Sequence, residues 1–331
     1  MSGLPPTGDS ITPSLIDVHS HFLPDWYVEE AVRGGFSTPD GMPAWPTWNA
    51  DDHLRLMDDL GIGRSLLSLS TPGVSVVGPE DAPALAARVN DSAASVVARF
   101  PDRFGFLATL PLPDVVSASA EAHRALDILG ASGVILQTHT HGTYLTDPGH
   151  DAVWAVLAER QVPVLLHPTS PPGWEATSLG LPRPMMEFFF DSARVVSALL
   201  LGGLLDRHPG LRLIVPHCGG VLPLLVSRVT TFQQGLRFLA PAGDPAVDAT
   251  DVRDALGSLW WDLAGSPDEV AFGALAPHAD RGRVVYGSDF CFTPEFAVRA
   301  QQDTLDRSWH TFCDSGSWRQ VTGANAAELM G

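Results

Sequence analysis

Short apolar, β-branched runs alternate with longer stretches of helical periodicity along nearly the whole chain. The runs fall at Leu15–His21, Arg64–Ser70, Phe104–Leu110, Gly133–Thr138, Val162–His167, Leu211–His217, Leu259–Leu263 and Arg283–Ser288. Between them lie helix-like stretches near 50–60, 80–100, 114–129, 149–160, 186–207, 219–238, 267–277 and 295–308, with a last one near 317–330. Strand followed by helix, eight times in series, is the pattern of parallel strands joined by crossover helices. Cores such as Val164–Leu166 and Ile214–Val215 are continuously apolar, as expected of strands covered on both faces. The series favours a (β/α)8 TIM barrel over a doubly wound sheet with a second domain. Local punctuation agrees: Asn49 is placed to cap the first helix and Gly61 to end it, while Pro101, Gly130 and Pro209 stop later segments.

Two long Pro-, Gly- and Trp-rich segments break the alternation, near 24–48 after the first strand and near 168–185 after the fifth. Both follow strand carboxyl ends, where barrel enzymes carry lids and substrate loops. Residues 1–13 read as a loose arm and 14–331 as one barrel domain.

Composition narrows the function. The 331 residues are 45% hydrophobic and 18% charged, which suits a folded enzyme and is too apolar for a disordered chain. Twenty basic residues stand against 38 acidic ones, a net charge of −18 with no basic cluster. That argues against nucleic acid or an anionic membrane as partner. Every basic residue is arginine and none is lysine. Schiff-base and pyridoxal-phosphate chemistry, Walker-A nucleotide sites and metal pairs bridged by a carboxylated lysine are thereby excluded. Cys218, Cys291 and Cys313 show no C-x-x-C spacing, which fits a reducing compartment. The opening residues lack the basic and apolar regions of a signal peptide, and no apolar run approaches the roughly 20 residues that cross a bilayer. A soluble, cytoplasmic protein is expected.

The chemistry gathers at strand ends. His19-Ser20-His21 closes the first strand, and residues two apart in a strand share a face, so both imidazoles can reach one ion. An H-x-H pair alone is weak evidence, and His139-Thr140-His141 offers a second one after strand four. The first pair is strengthened by His167 ending strand five, His217 ending strand six and Asp289 ending strand eight, each a polar residue closing an apolar run. One such residue reads as an ordinary strand-end histidine or a capping carboxylate. Five at the carboxyl edge, where barrel active sites assemble, are hard to attribute to packing. Imidazole and carboxylate suit Zn²⁺, with Mn²⁺ an alternative, and His19, His21, His167 and Asp289 form the proposed ligand set. Without lysine to bridge two ions, one metal is expected. His217 is then left to bond a metal-bound water or move a proton to substrate.

These residues, with DHLRLMDDLGI (52–62), RFGFLATLPLPD (103–114), PHCGGVLPLLVSRV (216–229) and the closing TGANAAELM, resemble the amidohydrolase superfamily. The similarity is to its branch containing α-amino-β-carboxymuconate-ε-semialdehyde decarboxylase. SLLSLSTPGV (65–74) looks nearest to the 6-methylsalicylate-decarboxylase-like members. The resemblance implies a single-metal barrel enzyme, a homodimer or higher homo-oligomer, that removes CO₂ from a small aromatic or unsaturated acid without an oxidant. It implies the same four ligands and a catalytic role for His217. Some members instead hydrolyse lactones or hydrate double bonds, so a metal-dependent hydrolase or hydratase is the alternative. Gln234 stands where one of the semialdehyde decarboxylase's substrate-gripping arginines would align, which disfavours a dicarboxylate substrate.

For a 2-hydroxybenzoate-like acid the chemistry is protonation of the carboxyl-bearing carbon and loss of CO₂, with Asp289 or His217 as the proton donor. Trp174, Phe292 and His139 are the candidate substrate contacts, the two aromatics as stacking surfaces. Phe290, Cys218 and Cys291 read as packing, and Asp17 as a hydrogen-bonded structural carboxylate.

Overall fold

The computed structural model describes residues 14–239, 241, 245–265 and 267–331, so the expected arm at 1–13 lies outside the described residues. Eight parallel strands form one sheet: β1 (Leu15–His21), β2 (Ile62–Ser68), β3 (Phe104–Thr109), β4 (Gly133–Gln137), β5 (Pro163–His167), β6 (Arg212–Val215), β7 (Trp260–Asp262) and β8 (Val284–Val285). Each pairs with the next in sequence. The sheet closes through an Asp17–Tyr286 bridge and a 2.9 Å bond from the Val18 N–H to the Tyr286 carbonyl. The closed (β/α)8 barrel is therefore the observed architecture.

Closure follows from what each strand buries. Val18, Leu66, Leu107, Ile135, Leu165, Ile214, Trp260 and Val285, one residue from every strand, form a single apolar cluster filling the barrel. Ala326 and Leu329 of the last helix, Trp318–Met330, plug this cluster at the end away from the strand carboxyl termini. Asn325 holds that helix in place by donating to the carbonyls of Arg281 and Val284 at 2.8 Å. A larger cluster lies between the strands and the surrounding helices, so both sheet faces are covered.

Local signals act as their chemistry requires. Asn49 accepts from the Asp52 N–H at 2.8 Å, and Gly61 ends the Ala50–Leu60 helix with φ +67°. The stretch read as one helix over 186–207 is two, Glu187–Leu201 and Leu204–Arg207, because Gly202-Gly203 permits a break with Gly203 at φ +71°. Strands six and eight are shorter than the apolar runs suggested. Pro216 has no N–H to extend β6, so His217 sits two residues beyond it, in the His217–Gly219 turn. Asp289 likewise stands beyond β8, its N–H donating to the His19 carbonyl at 2.8 Å.

The segments that interrupt the alternation lie together over the carboxyl end of the barrel. The first begins with the helix Asp25–Arg33; the second carries the short helix Trp174–Thr177 and the turn Arg183–Met185. They are tied by Ser170 donating to Asp40, by the Arg183 N–H donating to the Asp40 carbonyl at 3.0 Å, and by Arg183 Nε donating to Ser170 at 2.9 Å. No helix among the described residues is long and apolar enough to cross a membrane.

Candidate metal centre and active site

The first strand delivers two imidazoles because its register slips. Between Asp17 and Ser20 the pairing with β2 gains an irregularity, so simple alternation does not carry from Val18 in the barrel core to the residues after it. His19 and His21 both come to the carboxyl end of the barrel, their ring centroids 5.0 Å apart, and each stands 5.2 Å or less from the ring of His167 at the end of β5. Asp289 completes the group: its Oδ1 is 3.0 Å from His21 Nε2 and 3.5 Å from His19 Nε2. One ligand atom from each of His19, His21, His167 and Asp289 lies within 4.8 Å of all the others, and the four together can hold a metal ion.

Hydrogen bonds decide which nitrogen each ring offers. His19 Nδ1 faces the Asp262 carboxylate at 2.7 Å, so Nδ1 carries the proton. His167 Nδ1 faces the Pro168 carbonyl at 2.7 Å and is protonated for the same reason. His21 Nδ1 faces the Ser68 hydroxyl at 3.0 Å, and that hydroxyl already donates to the Ser20 carbonyl at 2.8 Å. Ser68 must therefore accept from His21. In the neutral form each ring, with Nδ1 as the donor, turns its Nε2 toward the others and toward the Asp289 carboxylate, so the three lone pairs are aimed at one shared position. His19 Nε2 is buried with no hydrogen-bond partner, as a metal-binding nitrogen would be. The donor set fits a divalent ion.

Charge in the ion-free site follows the same geometry. Burial opposes a charged His19, but the Asp262 carboxylate, with Asp289 and Asp17, outweighs it and raises the imidazole to about 9. His21 and His167 are pushed below the usual histidine value, first by burial. Burial would raise Asp289, yet its contacts with His21 and His217 and the charge of His19 hold it well below the carboxylate range. Asp17 is pushed up to about 7 by burial, and its Oδ1 accepts from the N–H groups of His19 and Ser288, tying β1 to the end of β8.

His217 flanks the cluster. Its Nε2 is 3.9 Å from Asp289 Oδ2, its Nδ1 is buried without a partner, and its ring tilts against Phe189 at 5.5 Å. Its backbone has φ +57°, one of four consecutive left-handed residues through Gly220. That turn brings the His217 N–H onto Asp262 Oδ1 at 2.9 Å.

A cavity of about 520 Å³ opens beside the cluster, with His167, His217, Asp289 and Phe292 in its wall. Phe292 stands edge-on to His21 at 5.6 Å. The other two expected contacts are placed elsewhere. Trp174 is absent from the wall and stacks under the Arg183 guanidinium, 4.0 Å away. His139 is also absent from it: in the small antiparallel ribbon His139–Thr140 with Thr143–Tyr144, its Nε2 lies 2.9 Å from the Ser170 carbonyl. Each ring is engaged by a contact with the second inserted segment. A second cavity of about 540 Å³, lined by Asp147, Asp151, Trp154 and Arg207, holds none of the four ligating residues.

Asp262, Ser68 and Phe189 escaped the sequence reading. Asp262 closes the apolar run SLWWD on strand seven, the same signal that marked His167, and was legible there. Ser68 and Phe189 carry no such mark.

Barrels that gather ligating side chains at this rim are metal-dependent enzymes as a class. The chain belongs to the amidohydrolase family, whose model matches residues 16–331. It is 34% identical over 291 residues to 6-methylsalicylic acid decarboxylase acuB of Aspergillus aculeatus, covering 86% of each chain. Among solved structures, an amidohydrolase II superposes with a TM-score of 0.85 at 30% identity, covering 96% of this chain and 99% of that one. The 5-carboxyvanillate decarboxylase of Novosphingobium aromaticivorans, complexed with manganese and 4-hydroxy-3-methoxy-5-nitrobenzoic acid, superposes with a TM-score of 0.83 at 22% identity over 98% of this chain and 97% of that one.

Proposed function

We propose that this protein is a metal-dependent, non-oxidative decarboxylase of a small aromatic hydroxy acid of the 6-methylsalicylate type. The observation that carries the reading is the convergence of three Nε2 atoms and one carboxylate beside a cavity of about 520 Å³. Decarboxylation is preferred to hydrolysis because the relative matched over 86% of the chain is a decarboxylase. His19, His21, His167 and Asp289 would hold one ion, Zn²⁺ by the donor set, with Mn²⁺, the ion of the 5-carboxyvanillate enzyme, as the alternative. Such an ion supplies Lewis-acid stabilisation to phenolate and carboxylate oxygens.

The rest falls to the chain's own side chains. Phe292 and Phe189 flank the space where a planar ring would lie. His217, buried at the cavity wall, supplies the proton that replaces the carboxyl group on carbon, so one proton enters and one CO₂ leaves per turnover. Asp289 Oδ2 is the carboxylate oxygen facing His217 Nε2, 3.9 Å away, and Thr293 Oγ1 donates to it at 3.1 Å. We place the protein in the cytoplasm, a reading supported by three buried, unpaired thiols, and as a homodimer from family resemblance. Incubation of metal-loaded protein with 6-methylsalicylate should release equimolar CO₂ and 3-methylphenol; His217→Asn should lower kcat by about 100-fold or more while metal content is retained. Substrate gaining one water with no CO₂ would replace this reading with hydrolysis.

A further inference from the structure

The cavity is too large and too apolar for the acid named above to fill. A cavity of about 150 Å³ holds one benzene ring. The present one measures about 520 Å³. Its charged groups, Asp40, Asp289 and the two histidines, include no arginine, so a second carboxylate on the substrate would find no cationic partner. Beside Asp40, two apolar stretches face each other: Pro39 and Met42 from the first inserted segment, and Pro182, Pro184 and Met185 from the second. They abut through the Asp40–Arg183 backbone bond, and a Cβ on Gly41 would come within 3.5 Å of the Pro182 Cα. Apolar surface continues outward at Leu181, 43% exposed, Met185, 59%, and Met186, 50%. Water gains little from such a wall, and a ring held at His167 and Asp289 leaves it unfilled.

We infer that the natural substrate is an aromatic monocarboxylic acid carrying an uncharged apolar substituent longer than methyl, which lies against Met42, Pro182, Pro184 and Met185. The inference takes the ring acid from the proposed function and adds the tail. Removal of CO₂ leaves that tail untouched, so the product is the correspondingly alkylated phenol.

Salicylates with methyl, propyl and pentyl chains on carbon 4 or carbon 6, given to the metal-loaded enzyme, test it, with CO₂ release and equilibrium affinity both measured. In at least one series kcat/KM and affinity should rise by roughly threefold per methylene, on the order of 80-fold from methyl to pentyl. Met185→Asp, at an exposed position, should cut the pentyl-to-methyl ratio at least tenfold. A fall from methyl onward in both series, or an unchanged ratio in Met185→Asp, overturns the inference while leaving decarboxylation intact. Affinity that climbs with chain length without any CO₂ release supports the tail-binding wall and overturns the decarboxylase reading instead.

Discussion

Asp262 sets the chemistry of His19 through a single contact, and the consequence of changing it can be worked out atom by atom. Its Oδ1 accepts from the N–H groups of His217 and Ala264, both at 2.9 Å, and its Oδ2 accepts from His19 Nδ1 at 2.7 Å. In Asp262→Asn the amide oxygen keeps the two backbone donors, so the NH₂ group must face Nδ1. His19 then carries its proton on Nε2 and loses the lone pair that a metal needs. Metal affinity should fall about 10- to 100-fold, read by titration against a competing chelator. The same contact fixes a pH dependence. In metal-stripped protein the His19 value of about 9 lies above the ordinary 6.5. A raised histidine stabilises the fold fully below pH 6.5, and that contribution disappears as pH rises through 9. It is worth on the order of 3 kcal/mol. Metal binding needs the neutral ring, so the stabilisation conferred by added Zn²⁺ should grow across the same window. Chemical denaturation at pH 6, 8 and 10, with and without metal, checks both signs.

At the scale of elements, the closure between β1 and the segment after β8 positions three of the four proposed ligands, His19, His21 and Asp289. Gly287 is what lets the two chains approach: a Cβ there would stand 2.7 Å from the His19 Cβ and 3.3 Å from the Asp262 Cγ. Gly287→Ala must push β1 and the 287–289 segment apart, at a cost of about 1–3 kcal/mol from overpacking. Because His19 and Asp289 move with them, metal affinity should fall along with the thermal midpoint. The turn after β6 works similarly. Gly219, at φ +80°, admits the Trp261 ring where a Cβ would meet it at 2.6 Å, and so keeps His217 against Asp262.

At the scale of the molecule, the last helix separates stability from chemistry. Leu329 closes the barrel core at the end remote from the metal site, fully buried beside Ala326. Leu329→Ala should cost about 2–5 kcal/mol in urea unfolding. Metal affinity at 25 °C should stay within twofold of the parent, because Leu329 packs at the opposite end, where its carbonyl accepts from Arg212 at the start of β6. Parallel loss of metal binding would contradict that separation.

Much of this architecture was written in the one-dimensional pattern. Eight apolar runs fixed the strand count, and polar residues closing them marked His19, His21, His167 and Asp289, because a strand's end is where its side chains leave the core for the active rim. Trp174 and His139 show the limit of that logic: aromatic character and loop position do not tell which way a ring turns, and contacts with Arg183 and Ser170 took both off the cavity wall. Asp262 carried the same mark as the ligands, but its role as the partner of His19, 243 residues away, depends on barrel closure. Residue type and spacing determined which groups were available for chemistry. Only tertiary structure decided which nitrogen each histidine offers, where the two inserted segments meet and how large a space they enclose, since those depend on contacts between chain segments that no local pattern encodes.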